Sequence, residues 1–245
     1  MPLRETDWLE KNINKVKIID CSWHMPQTNR DGFKEYKKRH IENAIFFDLD
    51  ENSKKNTHLP HMLVEIDVWE KIVSKMGITN DDEIIIYDNS DVISSCRCWF
   101  NFIYFGHDPK LVHVLNGGLT KWVDEKRKVT DETRKVKISN YKSFEKIDLV
   151  KTKKLIDQNI DKQIFKVIDA RSLERFKGQV QEPRKGLRSG NIKNSMCIPF
   201  QNCLNKNKTF KNKDELIAVF KTCLKNLNEK NIVFSCGSGV TACVL

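Results

Sequence analysis

Short apolar runs rich in β-branched residues, each ending in a polar residue, alternate along the chain with longer amphipathic stretches. Val16-Lys-Ile-Ile-Asp20, Ile84-Ile-Ile-Tyr-Asp88 and residues 111–115 read as strands of a first half, and Phe165-Lys-Val-Ile-Asp169 and Ile232-Val-Phe-Ser-Cys236 as strands of a second. Between them Trp69, Ile72, Val73 and Met76 share one helical face, with Asp67-x-x-Glu70 placed as a capping box and Gly77 as a stop. Leu216, Val219, Phe220, Cys223 and Leu224 form the counterpart, and residues 94–105 predict a further helix ending at Gly106. Short strands alternating with helices predict right-handed βαβ crossovers, hence an α/β fold with a parallel sheet flanked by helices in each half.

The two halves are copies in register. Asp20 recurs as Asp169, an offset of 149; His40-Ile-Glu-Asn-Ala44 recurs as Asn191-Ile-Lys-Asn-Ser195, an offset of 151; and Asp88 recurs as Cys236, an offset of 148. A length of 245 residues also suits two modest domains better than one. Residues 124–146 are charged and lack sustained periodicity, which predicts a surface connector. The expected domains are therefore 1–128 and 141–245, joined by a linker at 129–140. The first half continues through the strand at 111–115 and Gly117-Gly118-Leu119-x-x-Trp122. The second stops nine residues after Cys236. On the repeat, about 30 residues of the second domain are missing, so it is expected to be incomplete at its C-terminus.

Composition narrows the function classes. With 39% hydrophobic residues, 31% charged residues, five Trp and thirteen Phe the chain can build cores, which excludes disorder. No apolar run approaches membrane-spanning length and the first ten residues carry no export signal, so a cytoplasmic protein without a membrane partner is expected. Eight Cys without an export signal predict free thiols rather than a disulfide framework. The spacings contain no C-x2-C pair, and His58 with His61 lack a nearby thiol, so neither a metal nor another cofactor is expected. A net charge of +10 admits nucleic acid, an anionic substrate or a Lys-rich surface. No basic stripe interleaved with aromatics supports nucleic acid.

The chemistry concentrates in Cys236-Gly-Ser-Gly-Val-Thr241, which follows a predicted buried strand and precedes a predicted helix start. Small residues let successive N–H groups turn inward and the helix adds its positive end, so an anion at the strand's carboxyl end is stabilised. A cysteine there is favoured as a nucleophilic thiolate. Cysteine phosphatases place an Arg six residues after such a nucleophile, and here that position is Ala242. The first half has Asp88 in the equivalent place and no nucleophile, so it reads as a non-catalytic partner. Cys96, Cys98 and Cys243 read as packing residues.

The chain resembles the two-domain rhodanese family, and within it the 3-mercaptopyruvate sulfurtransferases. The resemblance rests on Asp20-Cys-Ser-Trp-His-Met-Pro26, His40-Ile-Glu-Asn-Ala-Ile-Phe-Phe-Asp-Leu-Asp50, Leu59-Pro-His-Met-Leu63, Phe105-Gly-His107, Val114-Leu-Asn-Gly-Gly-Leu119, Asp169-Ala-Arg-Ser172, Arg175-Phe-Lys-Gly178, Glu182-Pro-Arg-Lys-Gly-Leu-Arg188 and the Cys236 loop. It implies two tandem rhodanese-like domains and a sulfur transfer in which Cys236 becomes a persulfide and pyruvate is released. It further implies that Arg175 and Arg184 bind the donor's carboxylate and keto oxygen. By the same resemblance, Gly237, Gly239, Val240 and Thr241 are expected to line the substrate, and Ser238, His61 and Asp50 to form a proton relay across a cleft between the halves. A thiol such as thioredoxin, a small thiol or cyanide would accept the sulfur. The neutral pair Gly237 and Ser238 favours 3-mercaptopyruvate over thiosulfate, whose enzymes carry basic residues there. Thiosulfate sulfurtransferase and an inactive rhodanese-like binding module are the alternatives. Asn43 and Asn194 stand where the family has glycine in its His-Ile-Pro-Gly-Ala turn, a position Asn can also occupy.

Overall fold

The Ile-rich runs become the central strands of parallel sheets, because side chains buried on both faces leave no room for polar alternation. In the computed structural model, which describes residues 2–245, the elements in chain order are β1 (Leu3–Arg4), α1 (Thr6–Asn12), β2 (Lys17–Asp20), α2 (Gly32–Lys38), β3 (His40–Ile41), β4 (Ala44–Phe46), α3 (Ile66–Lys75), β5 (Ile84–Tyr87), α4 (Ser95–Tyr104), β6 (Val112–Leu115), α5 (Gly118–Asp124) and β7 (Val129–Thr130). They continue with α6 (Lys153–Lys162), β8 (Lys166–Asp169), α7 (Leu173–Phe176), β9 (Met196–Cys197), α8 (Lys213–Lys221) and β10 (Ile232–Ser235). The chain divides into two units: one runs to Ile147 and takes in Asn207–Thr209, the other comprises Asp148–Lys206 and Phe210–Leu245.

The first unit holds a five-stranded sheet in the order β1-β6-β5-β2-β4, with every pairing parallel. Ile18, Ile19 and Ile84–Ile86 are fully buried in it. Trp69 of α3 is buried among Phe47, Phe102 and Phe105, with ring centroids 5.9, 5.1 and 4.8 Å away. The second unit holds the parallel sheet β10-β8-β9 over a smaller core of Ile168, Ile198 and Leu224, against which Val219, Phe220 and Phe234 pack.

The strand registers confirm the internal repeat. Asp20 lies opposite Tyr87 and Phe46, and Asp169 lies opposite Ser235 and Cys197. The three pairs of equivalents are displaced by 149, 148 and 151 residues, the offsets read from the sequence. Asn43 and Asn194 occupy the left-handed region at φ 68° and 65°, so Asn serves the same turn in both copies.

Three expectations change. Residues 131–140 do run exposed over the surface, but 129–147 as a whole belong to the first unit rather than joining the two or opening the second. Val129 pairs with Ile41 across β7 and β3, the Ser139 N–H donates to Ser74 O at 2.9 Å, and Tyr141 is buried with its hydroxyl 3.1 Å from His107 Nδ1. Isolated apolar anchors separated by charges have no period, which is why the segment reads as a connector. Asp67 and Glu70 do not form a capping box either. Helix α3 begins at Ile66, with Glu65 at the N-cap position and no side-chain cap; Asp67 pairs with Lys71 on its surface at 3.1 Å, and Glu70 Oε1 accepts the Ser143 N–H at 2.9 Å. A reciprocal capping box forms instead at α8, between Asn212 and Glu215. Finally, the turn after Val240 is a short 3-10 helix over Thr241–Cys243.

Candidate active site

Strand β10 delivers Cys236 to the carboxyl end of its parallel sheet, where open α/β sheets keep their ligands. The thiol is half-buried. Gly239 takes the left-handed angle φ 77°, which a side chain would resist, and its N–H donates to Cys236 Sγ at 3.1 Å. That donation stabilises negative charge on sulfur. The Cys243 thiol donates to Gly239 O at 3.0 Å, so it braces the loop rather than simply filling the core. Ser238, half-buried, Val240, buried, and Thr241 complete the turn.

Both predicted arginines reach this loop. Arg184 Nη2 donates to Gly237 O at 2.5 Å. Arg175 Nη2 lies so near that a Cβ on Gly237 would stand 3.3 Å from it. Arg175 follows from the Ser172 hydroxyl, which caps the short helix α7 by accepting the Arg175 N–H. Its Nε and Nη2 donate to Glu182 Oε1 and Oε2 at 3.2 and 2.5 Å. Arg171 Nη1 donates to the same Oε1 at 2.8 Å, while its Nε and Nη2 grip Asp169 at the end of β8. The Arg175 guanidinium beside Glu182 holds that carboxyl below the usual range, and Asp169 favours the charged Arg171.

The first unit provides an internal control for the loop. There β5 ends at Tyr87, and Asp88 follows it as Cys236 follows the end of β10. It accepts the N–H groups of Ser90 and Ser95 at 2.8 and 2.9 Å and the Ser90 hydroxyl at 2.9 Å. In both copies, then, the side chain that follows the strand accepts backbone N–H groups of the loop after it, a carboxylate in one and a thiol sulfur in the other.

Elsewhere in the first unit His61 Nε2 lies 2.9 Å from Asp50 Oδ1. His61 is buried at φ 56°, its carbonyl accepts from Arg97 Nη2, and its ring meets Trp23 edge-on at 4.8 Å. Trp23 Nε1 donates to Asp50 Oδ2 at 2.9 Å. The His61 hydrogen bond, helped by Trp23, holds the Asp50 carboxyl below its ordinary value. His58 is exposed and stands apart from this pair.

Of the predicted residues, Cys236, Gly237, Gly239, Arg175 and Arg184 converge within the second unit, with Ser238 in the same loop, and Asp50 and His61 meet within the first. Arg171, Glu182, Trp23 and Arg97 were not singled out. Each stands inside or beside a recognised motif, but no spacing rule says that a carboxylate seven residues past an Arg will hold it. All eight cysteines are free, and Cys21, Cys96, Cys98 and Cys203 are buried. Among the described residues no cluster of His, Cys, Asp and Glu is arranged to hold a metal, and no helix is long and apolar enough to cross a membrane.

The Rhodanese-like domain model matches residues 5–125. Over its whole length the chain is 37% identical to a thiosulfate/3-mercaptopyruvate sulfurtransferase from Arabidopsis thaliana named as mitochondrial, of which it covers 70%. It belongs to the rhodanese family. Its similarity to the mouse 3-mercaptopyruvate sulfurtransferase is 34% identity over 95% of the chain and 78% of that protein. The crystal structure of SseA from Escherichia coli superposes with a TM-score of 0.88 at 27% identity, over 100% of this chain and 91% of that one. The rhodanese fold thus extends through both units, including the second, which the family model does not reach.

Proposed function

We propose that this rhodanese transfers sulfur from 3-mercaptopyruvate to a thiol or to cyanide through a persulfide on Cys236. The observation that carries the reading is the convergence on one loop of an amide aimed at the Cys236 sulfur, from Gly239, and two guanidinium groups, Arg175 and Arg184, beside Gly237.

The Cys236 thiolate attacks the donor sulfur. A sulfur–sulfur bond forms as the carbon–sulfur bond breaks, and the electron pair leaves on the three-carbon fragment as the enolate of pyruvate, which takes up a proton. Arg175 and Arg184 hold the carboxylate and keto oxygen, and a guanidinium fork suits both. The keto oxygen is where charge accumulates, so a cation there acts on the transition state more than on the bound donor. Gly237, Gly239, Val240 and Thr241 supply the wall of the loop. Ser238, His61 and Asp50 handle the proton, with Asp50 fixing the tautomer of the imidazole. An acceptor thiolate, from a small thiol or a thioredoxin-like protein, then attacks the outer sulfur and returns Cys236 to its thiolate.

Thiosulfate is the second donor to weigh, since the bovine relative at 34% identity is named thiosulfate sulfurtransferase. The neutral Gly237 and Ser238 favour the carboxylate donor. A cytoplasmic location remains the reading of the sequence, with a mitochondrial one as the alternative that the name of the Arabidopsis relative raises. Steady-state kcat/KM for the two donors with a common thiol acceptor tests the reading. A preference for 3-mercaptopyruvate is expected, and equal or greater efficiency with thiosulfate would transfer the assignment to the second donor.

A further inference from the structure

Glu182 is the least exposed charged group beside the Cys236 loop, its side chain 4% accessible, and it joins two arginines that otherwise would repel each other. With Asp169, 5% accessible, it forms a four-membered cluster, Asp169–Arg171–Glu182–Arg175, whose formal charges cancel. Charges this enclosed are poorly screened, so the cancellation is felt at the loop. Arg184 stands outside the cluster, bonded to a backbone carbonyl, and contributes one uncompensated positive charge. Lys185 and Arg188 on the same segment are exposed and screened by solvent. A donor arriving at the Cys236 thiolate therefore meets a site whose one uncompensated positive charge, on Arg184, is offset by the nucleophile itself, so a second negative charge on the donor is disfavoured although two guanidinium groups face it.

We infer that Glu182 is a positioning and specificity-determining residue: it fixes the Arg175 guanidinium beside Gly237 and disfavours donors that carry a second negative charge. The geometry supports both parts. Glu182 takes Nε and one N–H of Nη2, which leaves Nη1 and the second Nη2 proton of Arg175 for a bound oxygen. It also removes one unit of positive charge that a dianion such as thiosulfate would need. A monoanionic carboxylate with a neutral thiol, as in 3-mercaptopyruvate, has no such requirement. The neutral residues after the nucleophile act in the same direction, and Glu182 adds a charge-based filter from outside the loop.

The inference rests on the sulfurtransferase reading, and a donor-ratio experiment separates the two. The kcat/KM for thiosulfate divided by that for 3-mercaptopyruvate is measured in the wild type, in Glu182→Gln and in Glu182→Asp. Gln keeps the shape and an acceptor for Arg175 but loses the charge; Asp keeps the charge and shortens the reach. The ratio should rise about ten-fold in Glu182→Gln, the size expected of one unit charge a few Å away across a partly solvated site. In Glu182→Asp both efficiencies should fall while the ratio stays within about two-fold of the wild type, because one charge is retained. A purely structural Glu182 would lower both donors alike in either variant. An unchanged ratio in Glu182→Gln, or an equal shift in Glu182→Asp, would overturn the inference. A wild-type protein that takes sulfur from neither donor would instead reject the sulfurtransferase reading itself.

Discussion

His61 presents its Nε2 to Asp50 Oδ1 at 2.9 Å, while the other Asp50 oxygen receives the Trp23 indole N–H at the same distance. A carboxylate held from two sides fixes one ring orientation of the imidazole it faces. Asp50→Asn keeps an acceptor but loses the charge. It should lower kcat for 3-mercaptopyruvate by about ten-fold or more, in the range of a lost acid–base partner, with little change in KM. An unaltered kcat would remove the pair from the reaction.

The same contact has a pH signature. Asp50 is held below the usual carboxylate range mainly by the His61 hydrogen bond. A depressed folded-state value means that the resulting stability is present above the ordinary Asp value and is lost as pH falls through the lowered one. His61→Asn suits the left-handed φ of 56° and removes the imidazole. Carboxyl NMR titration of that variant should find the Asp50 transition moved upward.

Asp20 titrates the other way. Burial pushes its carboxyl up to about 7, against hydrogen bonds from the Ser22 N–H and hydroxyl to Oδ1. Its folded-state value lies above that of the unfolded chain, so its contribution is complete below the ordinary Asp value and is lost as pH rises to about 7. Asp20→Asn retains the acceptor and should flatten the dependence of the denaturant midpoint over that interval, with the largest gain over wild type at or above its upper end.

Arg184 spends one N–H on Gly237 O and retains the rest of its fork for an oxygen ligand. Lysine can place a charge there but cannot reproduce the two-pronged contact. Arg184→Lys should raise KM for 3-mercaptopyruvate about ten-fold, the cost of about one charge-assisted hydrogen bond. Steady-state kinetics that leave KM unmoved would place the donor carboxylate elsewhere.

Trp69 has no exposed surface and stacks on Phe105 with centroids 4.8 Å apart. Trp69→Ala should cost about 3–5 kcal/mol, as large aromatic truncations in packed cores do, and chemical denaturation measures it.

What the sequence disclosed follows from which interactions are periodic. The strands ending at Asp20, Asp88, Asp169 and Cys236 were legible because buried parallel strands are apolar without interruption, and the repeat was legible because its offsets survive in the registers. The loop of Cys236 could be read from its small residues, and the arginines from their motifs. The anchoring of residues 129–147 to the first unit could not, since it depends on single residues such as Tyr141 finding His107 across 34 positions. The roles of Glu182 and Trp23 were hidden for the same reason: an ion pair or an indole N–H is specified by three-dimensional direction, which no linear spacing records. The expected capping box at Asp67 failed because the helix already begins at Ile66, which puts Asp67 inside its first turn and leaves Glu70 to accept the Ser143 N–H.

The central claim is that Cys236 carries the sulfur in transit. Intact-protein and peptide mass spectrometry after a single exposure to 3-mercaptopyruvate, without an acceptor, tests it directly. One added sulfur atom on the peptide containing Cys236, with one equivalent of pyruvate released and neither seen in Cys236→Ser, is the predicted result. Pyruvate release that persists in Cys236→Ser, or sulfur found on another cysteine, would contradict it.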